Sequence, residues 1–324
     1  MTDNASVTFA DIKAAQKRIG AYVLRTPLLR CDALDALAAG EVIAKAECLQ
    51  GTGSFKLRGG LNHVLSLTDE EKPRGVVAYS SGNHAQGVAR AAKLAGVPAA
   101  IVMPADAPEA KRARTARDGA EVILYDRETE SREEIGARLA EERGAKLIPP
   151  FDHPLTIAGQ GTAGLELTED AGPIDQVLIC ASGGGLAAGV GLAVREAYPA
   201  AKIIAVEPEG FDDLGRTLRS GQLAQNERRG GSVCDALLVE TPGNITWPIL
   251  SDLNAEAVSV SDEEALQAVA FAFHELKVVV EPGGAVALAA VLQGRVPTNG
   301  LRTVVFLTGG NIDPEMMSRA LATN

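Results

Sequence analysis

QVLICASGGGLAAGVGLAVREAY, residues 176–198, passes from a β-branched apolar run through three consecutive glycines, Gly183, Gly184 and Gly185, into a helical pattern. A short apolar run closed by glycine reads as a strand buried on both faces, and a helix that follows at once is the unit from which parallel sheets are built. The rhythm recurs on both sides. Upstream, GVVAYS (75–80), AAIVMP (99–104) and AEVILY (120–125) read as buried strands, with HAQGVARAAKLAG and SREEIGARLAEERG as helices. Downstream, KIIAVEP and TVVFLTGG read as strands, and DEEALQAVAFAFHELK and GGAVALAAVLQG as helices. Near the start, Thr8 and Asp11 predict a capping box that opens a helix with Ile12, Ala15 and Ile19 on one apolar stripe. The fold class is α/β, with two parallel-sheet lobes that divide near residue 150.

Parallel sheets bind ligands where strands end and helices begin, because helix N-termini and turn amides collect there. YSSGNHAQG, CASGGGLAAG and LTGGNID sit at such ends. The triple glycine is the most informative of them, since successive residues without Cβ let backbone N–H groups converge on an anion such as a phosphate. Residues 159–164, GQGTAG, match the dinucleotide pattern GxGxxG literally, but they follow the helix start DHPLTIA and no strand, so a dinucleotide site is rejected.

The segment SFKLRGG (54–60) sets Lys56 between Phe55 and Leu57. Burial disfavours an ammonium, so a lysine in an apolar segment either reaches to water or serves as a neutral, nucleophilic amine. Beside a phosphate-binding turn the second reading gains, because an aldehyde cofactor carrying a phosphate would form a Schiff base with Lys56. Pyridoxal phosphate is that cofactor.

Composition excludes other classes. The chain has 324 residues, 46% of them apolar, and a formal net charge of -11, which opposes nucleic acid or an acidic membrane surface as partner. A small molecule is the expected partner. Cys31, Cys48, Cys180 and Cys234 show no paired spacing, which fits a reducing cytoplasm. The N-terminus lacks a secretion signal and no apolar run is long enough to span a membrane, so a soluble cytoplasmic protein is expected. His63, His153 and His274 show no ligand spacing, and Trp247 reads as core or interface.

SFKLRG, SSGNH, SGGGL, EPGGA and TGGN, in this order over nearly the whole chain, resemble the fold-type II pyridoxal-phosphate enzymes, and among them the serine/threonine dehydratase and serine racemase family, which includes 3-hydroxyaspartate dehydratases. The resemblance implies a tryptophan-synthase-β-like architecture, with a large domain from residues 1–49 and 149–324, a small inserted domain from 50–148, and a homodimer. It implies that Lys56 is the Schiff-base lysine, that Phe55 packs on the ring, and that Asn83 bonds the ring hydroxyl. Gly183, Gly184, Gly185 and Leu186 would hold the phosphate, Glu281 would lie at the cofactor, and Thr308 would face the pyridine nitrogen.

Other roles follow from the same resemblance. Ser80, Ser81, Asn83 and His84 would hold the substrate carboxylate at a helix N-terminus. Ser81 aligns with the second acid/base of serine racemases, Arg132 with an arginine that moves toward the ligand, and Thr241 lies close to a substrate-contacting serine. Arg132, His84 and the GNIT turn are candidates for a second substrate carboxylate. EPEGFDD resembles a divalent-cation site, with Glu207 and Asp213 supplying carboxylates and Phe211 a carbonyl to Mg²⁺ or Ca²⁺. The expected activity is water elimination from L-threonine, L-serine or 3-hydroxyaspartate, with racemisation as the alternative and a non-catalytic amino-acid binder as a further one. Biosynthetic threonine dehydratases carry a further regulatory domain, for which no residues remain after the last helix pattern, so a catabolic role without isoleucine feedback is expected.

Overall fold

The computed structural model of the protein describes residues 7–80, 82–107 and 109–323. Strands β1 (Leu28–Leu29), β2 (Glu41–Lys45), β3 (Val76–Tyr79), β4 (Ala99–Pro104) and β5 (Glu121–Tyr125) are followed by β6 (Lys146–Leu147), β7 (Gln176–Cys180), β8 (Lys202–Pro208), β9 (Glu256–Val260) and β10 (Arg302–Phe306). They form two sheets. The larger runs β1-β2-β10-β7-β8-β9, parallel except for β1, and the smaller runs β5-β4-β3-β6, parallel throughout. Val177, Leu178, Ile179, Val304 and Val305 at the centre of the larger sheet have no solvent exposure, as strands covered on both faces require.

Topology places the ligand site. Strand β7 lies between β8, the next strand in the chain, and β10, the last, with Leu178 paired to Val305. The chain runs outward from β7 through β8 to β9 and then crosses back to β10 on the other side of β7, so a crevice opens beyond the strand ends between β7 and β10. The triple glycine follows β7 and Thr308 follows β10, so the two meet there. In the smaller sheet β3 is central between β4 and β6, and it delivers Ser80 and the helix Asn83–Ala95 to its own C-terminal end.

The first helix is Phe9–Ile19, with the Thr8–Asp11 capping box present and Ile12, Ala15 and Ile19 buried. GQGTAG lies inside the helix Pro154–Asp170, and its glycines serve packing: a Cβ on Gly159 would fall 2.8 Å from the Arg58 carbonyl oxygen, and one on Gly164 2.8 Å from Val190 Cα. The helix from Asp262 ends at Phe271 and continues as a single π turn over Ala272–Leu276. Strands β2 and β9 were not expected from the sequence. EVIAK is capped by charges at both ends, and EAVSV is a half-buried edge strand.

Beneath the crevice lies a buried ionic cluster. Arg58 donates from Nε and an Nη to Glu47 and from both Nη atoms to Glu166, each at 2.7–2.8 Å, while Lys45 Nζ donates to Glu166 at 2.7 Å. All four side chains are at most 1% exposed. Two cations meet two anions, which is what allows such charges to stay out of water.

Candidate active site

Lys56 opens the helix Lys56–Val64, and the residues before it are sewn to the end of β10: Ser54 bridges Gly309 and the Phe55 amide donates to the Thr308 carbonyl at 3.2 Å. This fixes Lys56 at the floor of a cleft of about 200 Å³ that Phe55, Ser80, Asn83, His84, Gly183, Gly184, Gly185, Leu186, Glu281 and Thr308 also line. Lys56 Nζ donates to the Pro150 carbonyl at 2.8 Å and lies 5.0 Å from the centre of the Phe55 ring. Desolvation lowers its pKa from the ordinary 10.5 to about 8.

Opposite Lys56 is the glycine turn. Gly184 has φ +87°, a region open to glycine and strained for other residues, and a Cβ on Gly183 would fall 2.3 Å from the Phe151 ring. The turn opens the helix Gly185–Ala197, whose first amides have no acceptor within the helix. A chain of amides links the remaining wall: Asn83 donates from Nδ2 to Glu281, while its Oδ1 accepts from Asn311 Nδ2 at 2.7 Å. Asn311 also donates to the Thr52 carbonyl, which ties the turn after β10 to the loop before Lys56.

His84 is buried, and its Nε2 donates to the Ile148 carbonyl at 2.9 Å, leaving Nδ1 without a partner. Burial, and next the Lys56 ammonium, push its pKa down to about 3, so the ring is neutral and has no N–H left for a substrate carboxylate. Ser80 Oγ accepts from the Gly82 amide at 3.2 Å. Ser81 lies outside the described residues. Arg132 reaches the cleft wall, with its guanidinium 5.8 Å from the Tyr79 ring centre and its Nε paired to Glu133 at 2.7 Å.

Thr241 does not line the cleft. Asp235, Leu237 and Val239 take that wall instead, and the Val239 amide donates to Ser182 Oγ at 3.3 Å. The GNIT turn does not offer its amides either, because those of Asn244 and Ile245 donate to Asp152. Sequence reasoning missed Phe151, Asn311 and Glu281's bond to Asn83, although Asn311 lay in the quoted motif TGGN and Glu281 in EPGGA. Trp247 is half-buried against the hydrophobic core that includes Leu214 and Leu250. His63 and His153 stack with ring centres 4.3 Å apart and line a second cavity of about 240 Å³. His274 sits in the π turn, where its carbonyl accepts from Lys277.

Away from the cleft, Glu207 near the end of β8 and Asp213 at the start of the helix Asp213–Ser220 are both buried. Glu207 accepts from the Leu214 and Gly215 amides, and burial, then Asp213, raises its pKa well above the carboxylate range. Burial raises Asp213 to about 6; its Oδ1 accepts from Asn226, and its Oδ2 is buried without a partner. An orphaned carboxylate oxygen beside a second buried carboxylate suits a hard cation. Phe211 is buried between them in sequence. No cluster of three or more His, Cys, Asp or Glu is present among the described residues, so further ligands there would be backbone carbonyls or water.

The sequence profile of the family described as "Pyridoxal-phosphate dependent enzyme" matches residues 19–309. The chain belongs to this family. A cleft lined by a desolvated amine and by a glycine turn packed so closely on Phe151 and Thr246 that there is no room for a Cβ fits that cofactor. Among relatives, the chain is 41% identical to an L-threo-3-hydroxyaspartate ammonia-lyase of Pseudomonas sp, over 97% of this chain and 98% of that one. It is 38% identical to a serine racemase of Schizosaccharomyces pombe, over 99% and 100%. Among solved structures, maize serine racemase superposes with a TM-score of 0.92 at 38% identity, covering 98% of this chain and 97% of that one. No helix among the described residues is long and apolar enough to cross a membrane.

Proposed function

We propose that this family member is an ammonia-lyase that removes water from a β-hydroxy amino acid, with L-threo-3-hydroxyaspartate the first candidate substrate and L-threonine and L-serine the others. The observation that carries the reading is Lys56: an amine with its pKa lowered to about 8, hydrogen-bonded to a neutral carbonyl and lining the same cleft as a glycine turn. Pyridoxal phosphate, when bound, supplies an electron-withdrawing ring that acidifies the substrate's α-proton and lets the β-hydroxyl depart. Lys56 would hold the cofactor, Phe55 would lie against its ring, Asn83 with Glu281 would meet the ring hydroxyl, and the amides of Gly183–Leu186 would take the phosphate.

The chain's own groups then do the proton work. Lys56 would take the α-proton, and an amine with a pKa near 8 is well matched to that task at neutral to mildly alkaline pH. Thr308, which lines the cleft, would offer the ring nitrogen a neutral hydroxyl with no counter-charge, which would favour loss of the β-substituent over chemistry that leaves negative charge at Cα. Ser80 and the amides at the start of the helix Asn83–Ala95 would hold the α-carboxylate. Arg132 on the cleft wall supports a substrate with a second carboxylate, because among the described residues its ion pair is with exposed Glu133 of its own helix, and its other contact is the Tyr79 ring.

Residues 50–148 would form the small domain and residues 1–49 and 149–324 the large one, in a cytoplasmic homodimer. Glu207, the Phe211 carbonyl and Asp213 would bind Mg²⁺ or Ca²⁺. The likeness to serine racemases favours a second reading, in which Ser81 returns a proton to the opposite face of Cα. Substrate choice is tested by measuring kcat/KM for threo- and erythro-3-hydroxyaspartate, L-threonine and L-serine in the wild type and in Arg132→Gln. Arg132→Gln should lose about tenfold or more on 3-hydroxyaspartate, the scale of one hydrogen bond to a charged group, and change little on serine. Equal losses on all substrates would remove Arg132 from substrate recognition.

A further inference from the structure

The carbonyl of Gly183 is gripped from the far side of the glycine turn. It accepts from Thr246 Oγ1 at 2.6 Å and from the Gly243 amide at 3.2 Å. A trans peptide is planar, so the Gly184 N–H points opposite to the carbonyl of Gly183. Fixing the carbonyl on residues 243–246 therefore aims the next amide away from them. The loop 243–246 is in turn fixed by one side chain: Asp152 Oδ2 accepts from the Asn244 amide and Oδ1 from the Ile245 amide, both at 2.8 Å. The approach is so close that a Cβ on Gly243 would fall 2.3 Å from Asp152 Oδ1.

Asp152 is also part of a three-residue strap. Pro150 accepts from Lys56 Nζ, and the Phe151 ring and backbone pack against Gly183 and Gly185. Consecutive residues thus touch the reactive amine, the glycine turn and the loop that holds the turn. We infer that Asp152 is a positioning residue for the cofactor's phosphate: through the 243–246 loop it aims the Gly184–Leu186 amides, and through the strap it fixes their spacing from Lys56. The inference rests on the reading of residues 183–186 as the phosphate site.

The test compares two probes on the full chain stripped of cofactor. Pyridoxal phosphate and pyridoxal share the aldehyde and ring and differ in the phosphate, so the ratio of their affinities isolates the phosphate grip. Asp152→Ala should weaken pyridoxal phosphate about tenfold or more and leave pyridoxal within about twofold, since only a charge-assisted contact set is disturbed. Asp152→Asn, which retains one accepting oxygen, should fall between. Thr246→Val should lower the same ratio, and the double variant should lose less than the sum of the singles, because both act on one peptide plane. If the wild type binds pyridoxal phosphate tightly but the variants lose both probes equally, Asp152 is a structural cap of the following helix and the inference fails. Unchanged affinities overturn it as well. If the wild type shows no preference for pyridoxal phosphate over pyridoxal, the phosphate site itself is wrong and the inference falls with it.

Discussion

Lys56 finds surroundings that an ordinary lysine avoids: burial, a hydrogen bond to a neutral carbonyl and an aromatic face. With a pKa near 8 in place of 10.5, its neutral fraction appears more than two pH units earlier than that of exposed lysines. In cofactor-free protein, acylation of Lys56 followed by peptide mass mapping should therefore rise with a midpoint near pH 8, while surface lysines respond near their ordinary value. A midpoint near 10 would mean that the amine is solvated and the cleft is not what lowers it. Lys56 and Gly183–Gly185 were legible in the sequence because a charge in an apolar segment and a run of glycines are local signals. Asp152 and Phe151 were not, because each acquires its role from a segment far along the chain, Asp152 from Asn244 and Ile245 and Phe151 from Gly183; Glu281 was legible in EPGGA, but its bond to Asn83 was not. Likewise, the loss of the His84 N–H to Ile148 depends on a neighbour that spacing does not reveal.

At the scale of elements, strands buried on both faces declared themselves as continuous apolar runs, and β4, β7 and β8 fall within or on the expected residues. Strand β2 escaped because its Lys45 is buried by pairing with Glu166, a contact that a hydropathy pattern cannot anticipate. GQGTAG shows the reverse case, in which glycines suited to a phosphate turn serve close packing within a helix. The cation proposed above belongs to the junction between β8 and the helix Asp213–Ser220. Adding Mg²⁺ or Ca²⁺ to chelator-treated protein should raise Tm by several degrees, since a ligand at a hundred times its Kd adds about 2.7 kcal/mol. Asp213→Asn should abolish the rise. A wild type whose Tm ignores both cations would leave Glu207 and Asp213 as buried carboxylates with no metal role.

Across the whole molecule, the cluster of Lys45, Glu47, Arg58 and Glu166 joins the larger sheet, the helix that begins at Lys56 and the helix Pro154–Asp170. Burial by itself would raise the pKa of Glu47, and the Arg58 guanidinium more than offsets this and holds it below the usual range. Removing one member leaves an uncompensated buried charge, so Arg58→Met and Glu166→Gln should each cost about 3–5 kcal/mol in urea unfolding. A loss below about 1 kcal/mol would show that water or rearrangement relieves the charge. The cluster anchors the helix that presents Lys56 and thereby links stability to the geometry of the cleft. The central claim, elimination at Lys56, is tested most directly by incubating cofactor-loaded protein with L-threo-3-hydroxyaspartate and counting ammonia released per substrate consumed. The account predicts one ammonia and one 2-oxo acid per substrate, and none with Lys56→Ala; substrate converted to its erythro diastereomer without release of ammonia would contradict it and leave inversion at Cα as the activity.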